Sequence, residues 1–452
     1  MKPRPPLPPG PFLIVGLARS GIAAALVLSG RGEEVIGVDA GAPQDLGALR
    51  EEGVEVHLQA DGLLELERIR AVIKSPGVPA QAPVIAQARA RGIPVLGELE
   101  LAWRLLPNEF IAVTGTNGKT TTTELIGHIH REAGLPVAVA GNVGTALSSL
   151  IGELEQQTTI VCETSSFQLE DTSAFAPEAG VLLNLTPDHL NRHGTMQAYT
   201  AAKLEIFARQ GAADLSVLPL RPPNDGQESN TNAWPPKGIG GQARGVLFGE
   251  GQGADLSKQD GQLWWQGRSL MPIDELRIRG EHNVENAMAA AAVCLARGVE
   301  PDAVCRGLRT FGGVAHRLEV LASRDGVLYV NDSKATNVAS TLVALRAFPG
   351  AGLHLILGGQ GKDQDFLPLR AAVEQSCRAV YLIGEDAPLI ATALASAGVP
   401  LHRCETLERA LEAASATATA GEVILLSPGC ASFDQFADFE ARGERFRELV
   451  SR

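Results

Sequence analysis

The sequence is poor in aromatic residues and in positive charge. Aromatic residues make up only 4% of the 452 residues, so the interior must be built from aliphatic side chains within a hydrophobic fraction of 45%. Acidic residues outnumber basic ones by 52 to 39, which gives a formal net charge of −13. A field of that sign repels nucleic acids and anionic membranes. We therefore expect neither as a partner, and any phosphate-bearing ligand must be held by local donors.

The chain also lacks the cysteine spacings and the long apolar runs that mark other classes of protein. None of its six cysteines forms a CxxC pair or a spacing typical of metal sites, which favours free thiols in a reducing compartment. No stretch approaches the ~18 consecutive apolar residues of a membrane span. The proline-rich residues 1–12 carry no apolar core of a secretory signal. We therefore expect a soluble protein of the cytoplasm.

Short apolar runs that end in polar turns and are followed by helical segments recur along the chain. Continuous apolar strands that alternate with helices are typical of parallel sheets covered on both faces. The sequence therefore predicts an α/β fold, with its chemistry in the turns beyond the carboxyl ends of the strands. The clearest runs are Phe12–Val15, Phe110–Val113, Ile160–Cys162, Val181–Leu183, Leu353–Leu357 and Val423–Leu426.

Three domains are expected from the length, at roughly 150 residues per domain, and from the distribution of these runs. Residues 1–97 are predicted to form a small Rossmann-like domain. A second domain is expected over residues 98–313 and a third over residues 314–452. Within the second domain, residues 219–245 are rich in Pro, Gly, Asn and Gln, which predicts an irregular surface segment.

A glycine-rich turn follows the second of these runs and opens a helix with Leu125, Ile126 and Ile129 on its buried face. Glycines let backbone N–H groups approach a phosphate, and the amino terminus of the helix adds positive potential. Lys119 supplies a full charge, and the hydroxyl of Thr120 can bind Mg²⁺. The predicted phosphate loop consists of Thr114, Gly115, Thr116, Asn117, Gly118, Lys119, Thr120 and Thr121.

The turn Gly16–Gly21 of the first domain is weaker support for a nucleotide site. Ala18 replaces the middle glycine of the dinucleotide-binding pattern, which hinders the close approach of a pyrophosphate. Arg19 and Ser20 could contact a nucleotide, and Asp39, about twenty residues further on, could bond a ribose or a base. A turn that only packs a strand against a helix is the alternative.

Polar residues near the ends of other apolar runs are candidates for metal and substrate contacts. Glu163 could bind a hard cation through oxygen, or it could cap the following helix. His189 could contact a metal or a substrate, although an isolated histidine is more often structural. The amides of Asn283 and Asn286 could read the edge of adenine, or they could cap the helix that follows them.

Five motifs resemble those of the Mur ligase family, and the resemblance spans nearly the whole chain. It implies a UDP-binding first domain, a central P-loop ATPase-type domain with a parallel sheet, and a Rossmann-like C-terminal domain that binds the incoming amino acid. The strings that begin at Ser165, Asn331 and Ser432 are similar to those of members that add D-glutamate. The motifs are Thr114–Thr121, Glu163–Leu169, Thr186–His189, Asn331–Asn337 and Ser427–Phe436.

The reaction implied by this resemblance joins D-glutamate to UDP-N-acetylmuramoyl-L-alanine in peptidoglycan precursor synthesis. ATP and Mg²⁺ are implied cofactors, with two sites for the metal. The substrate carboxylate first becomes an acyl phosphate, and the amine of D-glutamate then displaces the phosphate. Phosphoryl transfer of this kind depends mainly on positioning and charge neutralisation. We expect the enzyme to be a monomer.

The resemblance also assigns individual residues to each ligand. For ATP, in addition to the loop Gly115–Thr121, it assigns Asn283, Asn286, the pair His316 and Arg317, and Asp332. For the UDP-linked substrate we expect Arg19, Ser20, Asp39, Gly77, Asn142, Ser165 and His189. For D-glutamate the expected residues are Thr336, Lys362, Ser432, Phe433 and Phe439.

The catalytic group implied by the family consists of Lys119, Glu163, His189 and Lys203. Lys203 lies in a helical stretch shortly after His189, where an ordinary helix lysine is the alternative. The family carries a carbamylated lysine at this position, a modification that turns a cation into a carboxylate-like anion. Glu163 would then hold one Mg²⁺, which the hydroxyl of Thr120 could also bind, and His189 with the Lys203 carbamate would hold the second.

Three other functions are compatible with parts of the sequence. Another ligase of the same family, acting on a different muropeptide or on folate, would carry a different acceptor signature in the third domain. A Rossmann-type oxidoreductase would leave the phosphate loop unexplained, and the chain has no complete GxGxxG motif. A nucleotide-binding switch without catalysis would leave Glu163 and His189 without a role.

Overall fold

The computed structural model describes residues 2–43, 46–221, 242–278, 280–361 and 364–452. It divides into two compact units, Met1–Phe311 and Gly312–Arg452, which are described one after the other. In these described ranges, the two units contain three sheets with helices between their strands. The α/β class predicted from the sequence is confirmed.

The first sheet of the first unit contains five parallel strands. They are β1 (Phe12–Val15), β2 (Val35–Asp39), β3 (Glu55–Leu58), β4 (Ala71–Lys74) and β5 (Val95–Gly97). Their order in the sheet is β3-β2-β1-β4-β5. The helices are α1 (Arg19–Gly30), α2 (Gly47–Glu51) and α3 (Pro83–Ala90), with a 3₁₀ turn at Leu64–Glu67, and α4 (Glu98–Leu105) leads to the next sheet.

The second sheet of the first unit has nine strands in the part of the chain that the structure describes. They are β6 (Phe110–Thr114), β7 (Val137–Gly141), β8 (Thr159–Glu163), β9 (Ala179–Leu182), β10 (Leu215–Pro219), β11 (Arg244–Glu250), β12 (Leu256–Gln259), β13 (Gln262–Trp265) and β14 (Arg268–Pro272). Their order is β14-β13-β12-β11-β10-β9-β6-β8-β7, and neighbouring strands are parallel except in the pairs β12–β13 and β13–β14.

The helices around this second sheet follow its strands in the chain. They are α5 (Lys119–Glu132), α6 (Ser166–Glu170), α7 (Leu190–His193), α8 (Met196–Leu204), α9 (Glu281–Ala296) and α10 (Pro301–Thr310), with 3₁₀ turns at Leu147–Leu150 and Ile273–Glu275. Helix α9 is buried over most of its length, because its many alanines allow neighbouring elements to approach closely.

The second unit is built on a six-stranded sheet. Its strands are β15 (Glu319–Arg324), β16 (Val327–Asn331), β17 (Leu353–Gly358), β18 (Cys377–Ile383), β19 (Leu401–Glu405) and β20 (Val423–Leu426). The order is β15-β16-β20-β17-β18-β19, with only β15 antiparallel to its neighbour. The helices are α11 (Val338–Arg346), α12 (Leu369–Ser376), α13 (Ala387–Leu394), α14 (Leu407–Thr417) and α15 (Phe439–Ser451).

Strands reach into both ends of residues 219–245, which were expected to be irregular. Pro219 is the last residue of β10, and Arg244 is the first of β11. This part of the prediction was wrong because the apolar run that contains Val246 and Phe248 extends backwards into the glycine-rich stretch, and both side chains are buried. Residues 222–241 lie outside the described residues.

The interior is mainly aliphatic, as the scarcity of aromatic residues predicted, although aromatic residues such as Phe12, Trp103 and Phe110 are also buried in it. All six cysteines are buried and free, in agreement with the expectation of unpaired thiols. Within the described ranges, no helix is both long and apolar enough to cross a membrane. A buried carboxylate, Glu100 on α4, accepts hydrogen bonds from the backbone N–H groups of Ser173, Ala174 and Phe175 and thereby fixes the segment that follows α6.

Candidate active site

The predicted phosphate loop lies between β6 and α5. Gly118, the residue before α5, has a φ of 83°, and a Cβ there would lie 2.1 Å from Oδ1 of Asn286. Glycine therefore permits both the left-handed backbone and the close approach of an α9 side chain. The amide of Asn286 also donates to Oδ1 of Asn283 at 3.2 Å. Asn283 and Asn286, both candidates from the sequence, are thus residues of α9, and Asn286 lies directly against the loop.

Lys119 begins α5 and folds back over the loop. Its ammonium donates to the carbonyl oxygens of Gly115 at 3.1 Å and of Thr116 at 2.8 Å. The N–H of Asn117 donates to Oδ1 of Asn184, whose own amide donates back to the Asn117 carbonyl. The loop is therefore held as a defined turn that carries a cation at the amino terminus of a helix, an arrangement suited to binding an anion.

A buried carboxylate at the end of β8 connects three neighbouring strand ends. Glu163 is 4% exposed. Its Oε2 accepts a hydrogen bond from the hydroxyl of Thr120 at 2.7 Å, and its Oε1 accepts one from the amide of Asn142 at 3.1 Å. Strand β8 lies between β6 and β7, which explains why the two donors come from opposite sides. A carboxylate beside a hydroxyl at a phosphate loop is a set of oxygens that suits Mg²⁺.

Lys203, on α8, is a buried amine next to the same loop. It is 2% exposed, and its Nζ donates to the carbonyl of Gly115 at 2.7 Å. Burial, followed by the nearby charge of Lys119, lowers the pKa of Lys203 to about 7. Lys203 is therefore not a solvated helix lysine, and a large fraction of its amine is neutral near physiological pH.

His189 lies in the turn after β9, immediately before α7, with a φ of 52°. About half of its side chain is exposed, and its ring centroid lies 5.0 Å from that of Phe167. Phe167 is in turn stacked on His193, with an interplanar angle of 6°, and the guanidinium of Arg192 lies 3.8 Å from its centroid. The imidazole of His189 is thus accessible to a ligand while Phe167 supports it.

Arg19, the first residue of α1, contacts the turn that follows β7. Its guanidinium donates to the carbonyl of Gly144 at 2.6 Å, in the turn that carries Asn142. Asp39 accepts hydrogen bonds from two backbone N–H groups, one of them that of Leu17, both at 2.7 Å. The carboxylate of Asp39 therefore shapes the turn after β1.

The other residues expected at the UDP-linked substrate differ in their surroundings. Ser20 is half-buried in the first turn of α1, and Gly77 is exposed in the turn after β4. Ser165 is the N-cap of α6: its hydroxyl accepts from the N–H of Gln168, and its own N–H donates to the Gln168 side chain. The hydroxyl of Ser165 therefore has a structural role in the helix.

Asp332 follows β16 in the second unit and is buried. Its Oδ1 accepts from the N–H of Leu318 at 3.1 Å, and its Oδ2 accepts from the hydroxyl of Ser427 at 2.8 Å. Burial raises the pKa of Asp332 to about 7. His316 and Arg317 immediately precede Leu318, so the Asp332 bond fixes the turn that carries them. Burial also lowers the pKa of His316.

Of the residues expected at D-glutamate, the four that the structure describes lie in three segments of the second unit. Thr336 is half-buried in the turn before α11, and Phe439 is the first residue of α15. Ser432 is 2% exposed, whereas the side chain of Phe433 beside it is 60% exposed. Lys362 lies outside the described residues.

Two residues at the phosphate loop were not predicted from the sequence. The hydroxyl of Tyr199 lies 3.1 Å from that of Thr116, and the Tyr199 ring faces the ammonium of Lys203 at 4.7 Å. Asn184 exchanges hydrogen bonds with Asn117. Both could have been found from the sequence. Asn184 follows an apolar run, where ligand-binding turns are expected, and Tyr199 lies four residues before Lys203, on the same face of a helix.

The fold and this site define a class of protein. A loop of glycine, lysine and threonine between a parallel strand and a helix, with a carboxylate from the neighbouring strand on the threonine hydroxyl, is the arrangement of P-loop-type nucleotide-binding proteins. Family models match three segments: the MurD-like N-terminal domain of Mur ligases at residues 11–97, the Mur ligase middle domain at 113–294 and the Mur ligase glutamate ligase domain at 316–430. The chain belongs to the Mur ligase family.

Relatives similar over nearly their whole length share one name. The UDP-N-acetylmuramoylalanine–D-glutamate ligase of Acidobacterium capsulatum is 41% identical over 448 residues, which cover 97% of this chain and 95% of the relative. The enzyme of the same name from Koribacter versatilis is 39% identical over 450 residues, covering 97% and 96%.

Solved structures share the fold at lower sequence identity. UDP-N-acetylmuramate–alanine ligase from Thermotoga maritima matches with a TM-score of 0.57 and 21% identity over 98% of this chain and 99% of that chain. The MurF ligase of the same organism, in complex with ADP, matches with a TM-score of 0.54 and 17% identity over 92% and 94%.

The lowered pKa of Lys203 predicts a pH-dependent contribution to stability. The pKa of this amine is 10.5 in its ordinary state and about 7 in the folded protein. Below pH 7 both the folded and the unfolded chain hold the proton, and the folded state carries the full cost of burying it. Between pH 7 and 10.5 only the unfolded chain holds the proton, so stability rises with pH by about 1.4 kcal/mol per pH unit.

Urea unfolding of the wild type and of Lys203→Met at pH 7, 8 and 9, in CO₂-free buffer, measures this contribution. We expect the free energy of unfolding of the wild type, relative to the variant, to rise across this range. A difference that stays constant with pH would show that Lys203 keeps an ordinary pKa.

Proposed function

We propose that this chain uses ATP to join D-glutamate to UDP-N-acetylmuramoyl-L-alanine in the synthesis of peptidoglycan precursors. The observation that carries the proposal is a sequence identity of 39–41%, over 97% of the chain, to relatives named for this reaction. Their name supplies the acceptor and the amino acid. The loop around Lys119 and the buried carboxylate of Glu163 supply a site where ATP can react.

The proposed reaction has two steps. A carboxylate oxygen of the acceptor attacks the γ-phosphorus of ATP, the bond from that phosphorus to the bridging oxygen breaks, and ADP leaves. The amine of D-glutamate then attacks the carbonyl carbon of the acyl phosphate and loses a proton, and the tetrahedral intermediate expels inorganic phosphate. Both steps require that negative charge be neutralised and the reactants aligned.

The loop residues of the first unit would bind the phosphates of ATP. The backbone N–H groups at the start of α5 face an anion favourably, and Lys119 would exchange its bonds to loop carbonyls for bonds to phosphate oxygens. Asn286, against Gly118, and its partner Asn283 are the proposed contacts to the base.

The oxygens around Glu163 fit a magnesium ion, because a carboxylate and a hydroxyl already lie within 2.7 Å of each other there. Thr120 and Glu163 would hold the first ion, and His189 with a carbamate on Lys203 would hold the second. When bound, Mg²⁺ would neutralise charge on the phosphates and on the acceptor carboxylate. The pKa of about 7 supports the carbamate, because the neutral amine forms the N–C bond to CO₂ and then releases a proton.

In the second unit, Asp332 is the proposed acceptor for the ribose hydroxyls, and His316 with Arg317 would contact phosphate. Thr336, Lys362, Ser432 and the backbone of Phe433 are proposed to hold the carboxylates of D-glutamate, with Phe439 as an apolar wall. The exposure of Phe433 supports a place at a ligand-accessible surface.

Around the UDP-linked substrate we propose Arg19, Ser20, Asp39, Gly77, Asn142, Ser165 and His189. The bond from Arg19 to Gly144 supports this group, because it connects the turn after β1 to the turn that carries Asn142. We further propose domains at 1–97, 98–313 and 314–452, and a monomer that acts in the cytoplasm with neither nucleic acid nor membrane as a partner. The family matches at 11–97, 113–294 and 316–430 support these domains.

The proposed function predicts which mixtures release phosphate. Release should require ATP, Mg²⁺, UDP-N-acetylmuramoyl-L-alanine and D-glutamate together, because the amine is needed to complete the reaction. A phosphate-release assay that omits each component in turn measures this, with L-glutamate and L-lysine as the matched amino acids. Equal turnover with either of these would contradict the assignment of D-glutamate.

The proposed carbamate predicts chemical rescue at one position. Lys203→Ala should lose nearly all activity, and acetate at high concentration should restore part of it, because a small carboxylate can replace the anionic end of the carbamate. Ligation rates with increasing acetate measure the rescue, with chloride at equal ionic strength as the control. If acetate restores nothing, or chloride restores as much, Lys203 does not act as an anion.

A further inference from the structure

Arg442, on the second turn of α15, is completely buried, with an exposure of 0%. Its Nε donates to the hydroxyl of Ser333 at 2.9 Å, and its Nη2 donates to the Ser333 carbonyl at 2.9 Å. The other bonds go to the carbonyls of Cys430, from Nη2 at 3.1 Å, and of Ala431, from Nη1 at 3.4 Å. The guanidinium therefore joins two turns that are about one hundred residues apart in the chain.

The charge of Arg442 is balanced differently from that of its neighbours. Arg445 and Arg447 on the same helix form ion pairs with glutamates, whereas Arg442 has no ion-paired carboxylate among the described residues. Burial lowers the pKa of Arg442 to about 10, so the group remains protonated at neutral pH. A buried cation is tolerated only when its donors are bonded, and here the acceptors are supplied by the two turns.

A third turn, that of Gly359 and Gln360, is hydrogen-bonded to Ala431, one of the residues that Arg442 contacts. The backbones of Ala431 and Gln360 exchange two hydrogen bonds of 2.9 Å. A Cβ on Gly359 would lie 2.3 Å from the Ala431 carbonyl and 3.3 Å from Nη1 of Arg442. The three turns follow β16, β20 and β17, which are neighbours in the sheet. The guanidinium thus stands at the carboxyl ends of three adjacent parallel strands, where such sheets bind their ligands.

The turns that Arg442 joins carry residues of the proposed substrate sites. Asp332, proposed for the ribose of ATP, immediately precedes Ser333, whose carbonyl accepts a hydrogen bond from Arg442. Ser432 and Phe433, proposed for D-glutamate, follow Ala431. A shift of either turn would therefore move one ligand relative to the other, and a displacement of about 1 Å is enough to slow a reaction strongly.

We propose that Arg442 is a positioning residue. It fixes the turn of Asp332 and Ser333, proposed for the ribose of ATP, relative to the turn of residues 430–433, proposed for D-glutamate. The inference rests on the proposed function, because the ligands of the turns are those assigned there. Arg442 is not proposed to contact either ligand. Its hydrogen bonds go to Ser333, Cys430 and Ala431, and it acts through these residues.

The variant Arg442→Lys tests the proposal, because lysine keeps the charge but its single ammonium cannot reproduce the fork of donors that reaches both turns. We expect KM for D-glutamate and for ATP to rise about tenfold or more, and KM for the UDP-linked substrate to change by less than about twofold. The matched control is Arg445→Lys, on the same helix and ion-paired to Glu408, which should leave all three KM values unchanged.

Thermal unfolding separates positioning from a purely structural role. A structural role alone predicts a lower unfolding temperature with unchanged KM values in the molecules that remain folded, and that result would overturn the proposal. If Arg442→Lys does not fold, Ser333→Ala removes the hydroxyl that accepts from Nε of Arg442 and that donates to the Phe439 carbonyl at 2.8 Å. Because Phe439 is itself proposed for D-glutamate, KM for ATP is the value that reports on the Arg442 contact. KM for ATP should then rise severalfold, and an unchanged value would equally overturn the proposal.

Failure of this inference and failure of the proposed function give different results. A wild type that does not respond to D-glutamate removes the proposed function. A wild type that responds, beside an Arg442→Lys variant with unchanged KM values, removes only the role of Arg442. Calorimetric titration with a non-hydrolysable ATP analogue needs no turnover, and equal Kd values for wild type and variant would also overturn the proposal.

Discussion

The hydrogen bonds of one buried carboxylate organise the candidate site of the first unit. Glu163 accepts from Thr120 of the phosphate loop and from Asn142 of the next turn. A carboxylate is buried at tolerable cost only when its oxygens are bonded, so the three strand ends must keep their relative positions. Because β8 lies between β6 and β7, the hydrogen bonds of the parallel sheet already hold the three strand ends in place.

The parts of the fold that could be predicted are those that depend on local sequence. The run Phe12–Val15 is a strand with the predicted limits, and Leu125, Ile126 and Ile129 are fully buried on α5. Such segments follow from the period of their apolar residues. The loop from Gly115 to Lys119 was predicted for the same reason, since its glycines, its lysine and the flanking strand and helix are contiguous in the chain.

The parts that could not be predicted depend on contacts between distant residues. The place of Asn286 against Gly118 requires the packing of α9 on α5, about 170 residues away, which no spacing encodes. The role of Arg442 is hidden for the same reason, because an arginine on an amphipathic helix has the appearance of a surface residue. The two antiparallel strands β13 and β14, at the edge of an otherwise parallel sheet, likewise depend on hairpin pairing and not on burial on both faces.

The substitution Glu163→Gln tests the account most directly, because it preserves the shape of the side chain and removes only its charge. The matched control is Glu153→Gln at an exposed position. With ATP, Mg²⁺, UDP-N-acetylmuramoyl-L-alanine and D-glutamate, the account predicts a folded Glu163→Gln enzyme whose kcat is lower by about a hundredfold or more, a loss of roughly 2.7 kcal/mol in transition-state stabilisation. Turnover equal to that of the control would contradict it, because Glu163 would then be a structural residue only.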